Sequence, residues 1–204
     1  RLGLEPGERV MLIFGGSQAV RRFNAAVATA LSRLVERVTI IHHTGEDGYA
    51  AALSGREALP PDVRRRYRPH PFLRDEMPDA LASADLVVGR AGSSTLAEVA
   101  ALGLPIVVVP YPHAAGHQAA NASSLVDAGA ARLIADEAFD ADALLDAAGL
   151  LQDPQAHAMM SAASRSLGRP GAADAVASLV MAAATRRPFP PVADVERRAR
   201  GRVV

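Results

Sequence analysis

The chain has 204 residues, half of them hydrophobic, with 22 basic and 22 acidic side chains and no net charge. That length suits one well-packed α/β domain, and the balanced charge gives no general attraction to nucleic acid or acidic lipid. Cysteine and lysine are both absent, which excludes disulfides, thiolate metal sites, a cysteine nucleophile, Schiff-base chemistry and a phosphate-loop lysine.

Val10–Phe14 is a short, continuously apolar run and reads as a buried parallel strand. The turn Gly15-Gly16-Ser17-Gln18 follows it. A helix then runs to about Glu36, with Val20, Phe23, Val27, Leu31 and Leu34 at helical spacing. Val38–His42 is a second strand, His43-Thr44-Gly45 its turn, and Asp47–Leu53 a short helix. Pro60-Pro61 is a connection, Tyr67–His70 a weaker third strand and Pro71-Phe72-Leu73 its exit. Glu76–Ala82 is helical, Asp85–Gly89 the fourth strand, Thr95–Leu102 its helix, and Pro105–Pro110 the fifth strand. Gln118–Ala128 is a helix closed by Gly129, and Arg132–Ala135 a short sixth strand. Helices over Ala141–Leu151, Ala156–Leu167 and Ala172–Ala184 complete a domain of residues 1–184. Residues 185–204, rich in Pro and Arg, form a tail without an assigned element.

This alternation predicts an α/β fold: a Rossmann-like parallel sheet with helices on both faces. Ligands bind such sheets at the carboxyl ends of the strands. Five exit loops lie there: Gly15–Gln18, His43–Gly45, Phe72-Leu73, Arg90–Thr95 and Tyr111–Gln118. Gly92-Ser93-Ser94-Thr95 is the most informative of them. A turn of small residues at a helix N-terminus offers unpaired N–H groups and a favourable dipole to a phosphate. Glu98, further along the same helix, suits the hydroxyls of a sugar or ribose. Thr95-x-x-Glu98 also reads as a capping box, and backbone amides can hold a phosphate while Thr95 caps.

The order and content of these motifs resemble the C-terminal domain of the MurG group of glycosyltransferases, family 28. The matching pieces are Gly15-Gly16-Ser17-Gln18 with Asn24, the His-x-Thr-Gly turn at His42–Gly45, and Pro71-Phe72-Leu73. Arg90-Ala91-Gly92-Ser93-Ser94-Thr95 with Glu98, and His117-Gln118-x-x-Asn121-Ala122, continue the match. It runs from about residue 5 to residue 184. Two departures stand out: Ala19 where the family usually has Gly, and His117-Gln118 where some members have Gln-Gln.

The resemblance implies the donor half of a two-domain, inverting transferase. Such an enzyme moves N-acetylglucosamine from UDP-N-acetylglucosamine to a lipid-linked muramyl-pentapeptide. The acceptor and most membrane contact belong to an N-terminal half that these residues do not include. The start at Arg1, without an initiator Met, fits a piece of a longer protein. The whole protein is then expected in the cytoplasm, peripheral on the cytoplasmic face of the membrane. No apolar run approaches a bilayer span and no signal peptide is visible.

By the same resemblance, Gly92, Ser93, Ser94 and Thr95 hold the diphosphate and Glu98 the ribose diol. Leu73 supplies backbone groups to the uracil edge and Phe72 shapes the base pocket. Ser17 and Gln18 border the phosphate or sugar, and His117 and Gln118 meet sugar hydroxyls, with Asn121 bracing their loop. No catalytic residue, metal or cofactor is assigned. His42 and His43 read as structural histidines, His70 and His113 lack metal-ligand spacing, and Asp85 and Arg90 read as loop holders. Two alternatives stay open: a related synthase making glycolipids from UDP-sugars, and a nucleotide-sugar-binding subunit that acts beside a separate partner chain.

Overall fold

The computed structural model describes residues 2–15, 20–112 and 117–201. The elements alternate from the start: β1 (Val10–Phe14), α1 (Arg21–Val35), β2 (Thr39–His43), α2 (Glu46–Glu57), α3 (Pro61–Arg64), β3 (Tyr67–His70), α4 (Met77–Ser83), β4 (Leu86–Gly89), α5 (Ser93–Leu102) and β5 (Ile106–Val108). The chain continues through α6 (His117–Asp127), β6 (Ala131–Leu133), α7 (Ala141–Gly149), α8 (Pro154–Leu167), α9 (Ala172–Ala184) and α10 (Val192–Arg200). A 3-10 turn at Asp136–Ala138 precedes α7 and another, Leu150–Gln152, follows it.

All strand pairs are parallel, in the order β3-β2-β1-β4-β5-β6. The sheet is covered on both faces, so β1, β2, β4 and β5 are buried along their whole length. Side chains of β1 divide by the two-residue period of a strand. Met11 and Ile13 join a core with α1 and α7, while Val10, Leu12 and Phe14 join one with α4, α5 and α6. The strand order reverses between β1 and β4, and the crevice above that reversal is where a doubly wound sheet receives its ligand.

At the opposite, amino end of the sheet Asp85 acts as the expected loop holder. Its carboxylate accepts from the Val10 N–H at 2.8 Å and from Arg9 at 3.0 Å. Its carbonyl lies 2.8 Å from His157 Nε2. The β1–α1–β2 unit thereby registers with β4 away from the ligand end.

Several boundaries differ from expectation, three of them near the strand exits or the helices that follow. α2 continues through Ser54 and Gly55 to Glu57, with Gly55 lying beside Leu31 of α1. Pro61 opens α3 instead of extending a loop, its fixed φ suiting a first helical residue. α5 starts at Ser93, two residues earlier than expected. The Arg-rich tail carries α10, which packs on α9. At their junction Gly171 donates to the Ala199 carbonyl at 2.9 Å, and a Cβ on Gly171 would fall 2.1 Å from the Arg198 carbonyl oxygen. No described helix is long and apolar enough to cross a membrane.

Candidate functional site

The turn after β4 feeds directly into α5. Gly92 is the N-cap, with φ −66° and ψ 139°, and it offers no side chain to the helix. The first helical bond runs from Leu96 N–H to the Gly92 carbonyl at 3.0 Å. The N–H groups of Ser93, Ser94 and Thr95 therefore precede the helical ladder. No acidic residue occupies the first turn, so the positive end of the helix dipole is not neutralised from within. Ser93 and Ser94 are exposed, Gly92 is half-buried and Thr95 is 6% exposed. The expected capping box does not form: Thr95 is the third helical residue, so its hydroxyl is past the position from which it would cap. Glu98 is exposed and lies four residues after Ser94, on the same helix face.

Two straps fix this turn to the end of β5. Gln118 Oε1 accepts from the Tyr111 N–H at 2.8 Å and from the Ala91 N–H at 3.3 Å. Asn121 donates from Nδ2 to the Ala91 carbonyl at 3.2 Å, as expected of a brace. The second strap is Arg90, whose guanidinium donates at 3.0 Å to both the Val109 and Pro110 carbonyls. Arg90 also pairs with Asp136 at 2.6 Å and lies over the rings of Phe23 and Tyr111. Arg90 was legible as a loop holder because it is a lone charge between an apolar strand and a turn. Its partners Phe23, Tyr111 and Asp136 carried no sequence signal, since only the strand order brings them together.

On the other side of the switch point, the ends of β2 and β3 lie side by side, His43 registering with His70. Phe72 is 41% exposed; its ring meets His43 edge-on at 5.1 Å, and the Arg74 guanidinium lies 5.2 Å from its centre. Leu73 between them buries its side chain in the core. Asn24 of α1 reaches across to donate to the Thr44 carbonyl at 2.8 Å, holding the turn after β2. β3 stands three strand spacings from β4, about 14 Å. That separation is comparable with an extended nucleoside diphosphate.

The histidines here are neutral structural groups. His42 is 1% exposed and its Nδ1 lies 2.9 Å from the Tyr67 hydroxyl. Burial, with a smaller contribution from His43, pushes its pKa down to about 3. Burial also lowers His43, against the opposing effect of the Pro71 carbonyl, and it lowers His70 despite nearby Glu76. None is poised as a base near neutral pH.

Ser17, Gln18 and His113 lie outside the described residues. His117 is exposed and is the first residue of α6. A groove of about 470 Å³ opens beside the α5 N-terminus, lined by Ser93, Ala97, Asn121, Ser124 and Arg169 among others. A larger one, about 730 Å³, lies between α9 and α10, with no strand-exit residue in its lining. Among the described residues no group of three His, Cys, Asp or Glu side chains converges as a metal site.

Residues 10–176 match the model of the glycosyltransferase family 28 C-terminal domain. The UDP-N-acetylglucosamine--N-acetylmuramyl-(pentapeptide) pyrophosphoryl-undecaprenol N-acetylglucosamine transferase of Corynebacterium diphtheriae is 38% identical over 181 residues, covering 87% of this chain and 47% of that protein. The transferase of the same name from Frankia casuarinae is 40% identical over 190 residues, covering 92% and 50%. Among solved structures, Acinetobacter baumannii MurG superposes with a TM-score of 0.72 at 29% identity, over 87% of this chain and 54% of that one. The chain thus spans about half the length of the curated relatives it matches. With the sheet order, the open turn at the switch point and this match, the chain belongs to glycosyltransferase family 28, as a C-terminal domain of that family.

Proposed function

We propose that this chain is the donor-binding half of an inverting transferase. The whole enzyme moves N-acetylglucosamine from UDP-N-acetylglucosamine to a lipid-linked muramyl-pentapeptide in peptidoglycan synthesis, working from the cytoplasmic face of the membrane. The observation that carries this reading is the uncapped, carboxylate-free N-terminus of α5 at the switch point, in a chain of this family.

The diphosphate sits on the N–H groups of Ser93, Ser94 and Thr95, approaching closely because Gly92 has no side chain. Glu98 accepts two hydrogen bonds from the ribose diol, a bidentate role suited to an ionised carboxylate. The uracil edge pairs with the backbone of Leu73, and Phe72, backed by His43, forms the wall of the base pocket. His117 and the Gln118 amide group meet the sugar hydroxyls, and Ser17 and Gln18 border the same cleft.

In the reaction the acceptor hydroxyl oxygen attacks the anomeric carbon from the face opposite the diphosphate. The carbon–oxygen bond to the β-phosphate breaks, and its electron pair leaves on UDP. The hydroxyl proton goes to a base in the N-terminal half, together with the acceptor site. This chain supplies stabilisation of the departing diphosphate, and orientation of the sugar.

Calorimetric titration of the chain with UDP-N-acetylglucosamine, UDP-glucose, UDP-galactose and UDP tests the reading. Preference for UDP-N-acetylglucosamine, lost in Glu98→Ala, is the expected result, with no turnover by the chain alone. Preference for glucose or galactose points instead to a glycolipid synthase. Absence of binding both here and in the full-length protein overturns the assignment of the site.

A further inference from the structure

The groove between α9 and α10, about 730 Å³, shares no residue with the strand exits. One end is fixed where the Gly171 N–H donates to the Ala199 carbonyl at 2.9 Å. Arg187 and Arg198 line the groove together with Met181, Pro188 and Pro190. Asp174 of α9 is the one carboxylate among its described lining residues. Met181 is 60% exposed, and Phe189, between the two prolines, is 64% exposed.

Positive charge is concentrated here and is not compensated. Residues 185–204 hold six arginines and two acidic residues, in a chain whose net charge is zero. Elsewhere arginines are drawn into pairs: Arg9 with Asp85, Arg22 and Arg90 with Asp136, Arg64 with Glu57, Arg132 with Asp146. On α10 Arg197 is paired with Asp194 at 2.5 Å, and Glu196 is exposed. The side chains of Arg186, Arg187, Arg198 and Arg200 make no ion pair or hydrogen bond among the described residues.

The end of α9 adds an independent observation. The Arg186 N–H bonds the Ala183 carbonyl at 3.2 Å and the Arg187 N–H bonds the Ala182 carbonyl at 3.0 Å. This is a Schellman turn, and its left-handed residue is Arg186, with φ 50°. Glycine takes that position without strain, so a cation stands here against the preference of the backbone.

We propose that the α9–α10 groove and the arginines around it form a contact surface for the headgroups of anionic phospholipid. Guanidinium groups meet phosphate oxygens with two parallel donors, and Phe189 and Met181 supply apolar surface for the boundary between headgroups and acyl chains. Charge alone would suit nucleic acid equally; exposed apolar side chains beside unpaired arginines suit a lipid interface. The proposal does not depend on the donor-site reading, which leaves most membrane contact to the other half of the enzyme. It adds a second contact, made by the C-terminal half.

The test is sedimentation of the chain with phosphatidylcholine vesicles, with and without about 30% phosphatidylglycerol, near physiological salt. The expected result is binding to the charged vesicles only. Arg187→Gln with Arg198→Gln should weaken it about thirtyfold, and Phe189→Ser about tenfold. All three positions are exposed, so melting temperatures should match the parent. Arg33→Gln with Arg37→Gln removes the same charge from another part of the surface and should leave binding unchanged. Equal loss in that control, or equal binding to uncharged vesicles, overturns the proposal. Release by millimolar inorganic phosphate at constant ionic strength marks a soluble phosphate as the ligand and also overturns it. Tighter binding to a single-stranded oligonucleotide than to the charged vesicles, lost in the same double variant, assigns the surface to nucleic acid instead. In the full-length protein the Arg187 and Arg198 substitutions should again weaken vesicle binding; no change there means that the N-terminal half covers this face, and the proposal falls.

Discussion

α5 and α8 begin in opposite ways. α8 is closed by its own sequence: Asp153 accepts from the Gln155 and Ala156 N–H groups at 3.1 and 3.0 Å, and Pro154 removes a further donor. α7 is closed similarly by Asp140, which accepts from Ala143 at 2.9 Å. α2, which also follows a strand exit, begins without a side-chain cap but carries Glu46 and Asp47 in its first turn. α5 has a glycine cap, no capping side chain and no first-turn carboxylate. A helix end capped by glycine forgoes roughly a few tenths of a kcal/mol relative to an Asp cap. Where that end also sits at the switch point of the sheet, the unpaired amides are available to an external anion.

The most direct way to break the contrast is to close α5 like α8. Gly92 has an ordinary φ, and a Cβ there would lie 3.7 Å from Thr95 Oγ1, so a side chain fits. Gly92→Asp should therefore hold or raise the melting temperature by a small amount while placing a carboxylate at the proposed diphosphate site. UDP affinity is expected to fall about a hundredfold, close to 3 kcal/mol, by calorimetry. Undiminished binding would show that the anion does not use this turn. Glu98→Gln is a milder change: one acceptor of the bidentate pair becomes a donor. About a tenfold loss of UDP affinity is expected, roughly 1.4 kcal/mol, with no change in melting temperature because the residue is exposed. Equal loss for a 2′,3′-dideoxy analogue in parent and variant would refute the ribose contact.

Much of this contrast was visible in the sequence, and the missing part has a physical cause. The runs VMLIF, LVVG and IVV announce buried parallel strands by composition, and the small residues after LVVG announce a turn. The starting residue of α5 was not legible, since Thr95-x-x-Glu98 is a valid capping pattern taken alone. Burial of Thr95 beside Leu96 and Val99 decides against it, and burial is a property of the assembled sheet. The straps made by Arg90 and Gln118 depend on β4 neighbouring β5, which no local pattern encodes. Phe72 was legible only through the family motif, because its packing on His43 joins the ends of two different strands.

The reverse substitution opens an end that is now closed. Asp153→Ala removes two cap hydrogen bonds from α8, whose N-terminus lies at the amino end of the sheet, where His157 meets Asp85. Stability should fall by about 1 kcal/mol in urea denaturation, with UDP affinity unchanged. A matching loss of affinity would mean that the two ends of the sheet are coupled and that the α5 site is not locally built.

The smallest expected effect concerns the two sides of the switch point and distinguishes charge from shape. On the proposed reading, the β4 and β5 side binds through amides, a carboxylate and a dipole, whereas the β2 and β3 side offers Phe72 against a neutral His43. Burial lowers the pKa of His42, His43 and His70, so all three are predominantly uncharged above neutral pH. Binding that covers this side adds further burial, which again favours the neutral form. UDP-N-acetylglucosamine binding should therefore take up no proton on the β2 and β3 side. The check is calorimetry in buffers of different ionisation enthalpy between about pH 7.5 and 8.5, using His117→Gln to remove the exposed histidine that opens α6. Identical apparent enthalpies across buffers are expected. A buffer-dependent enthalpy whose slope shows net proton uptake in that variant would point to a histidine on the β2 and β3 side charging as the donor binds. The base pocket would then hold its ligand partly by charge, and the division between an electrostatic and an apolar side of the site would fail.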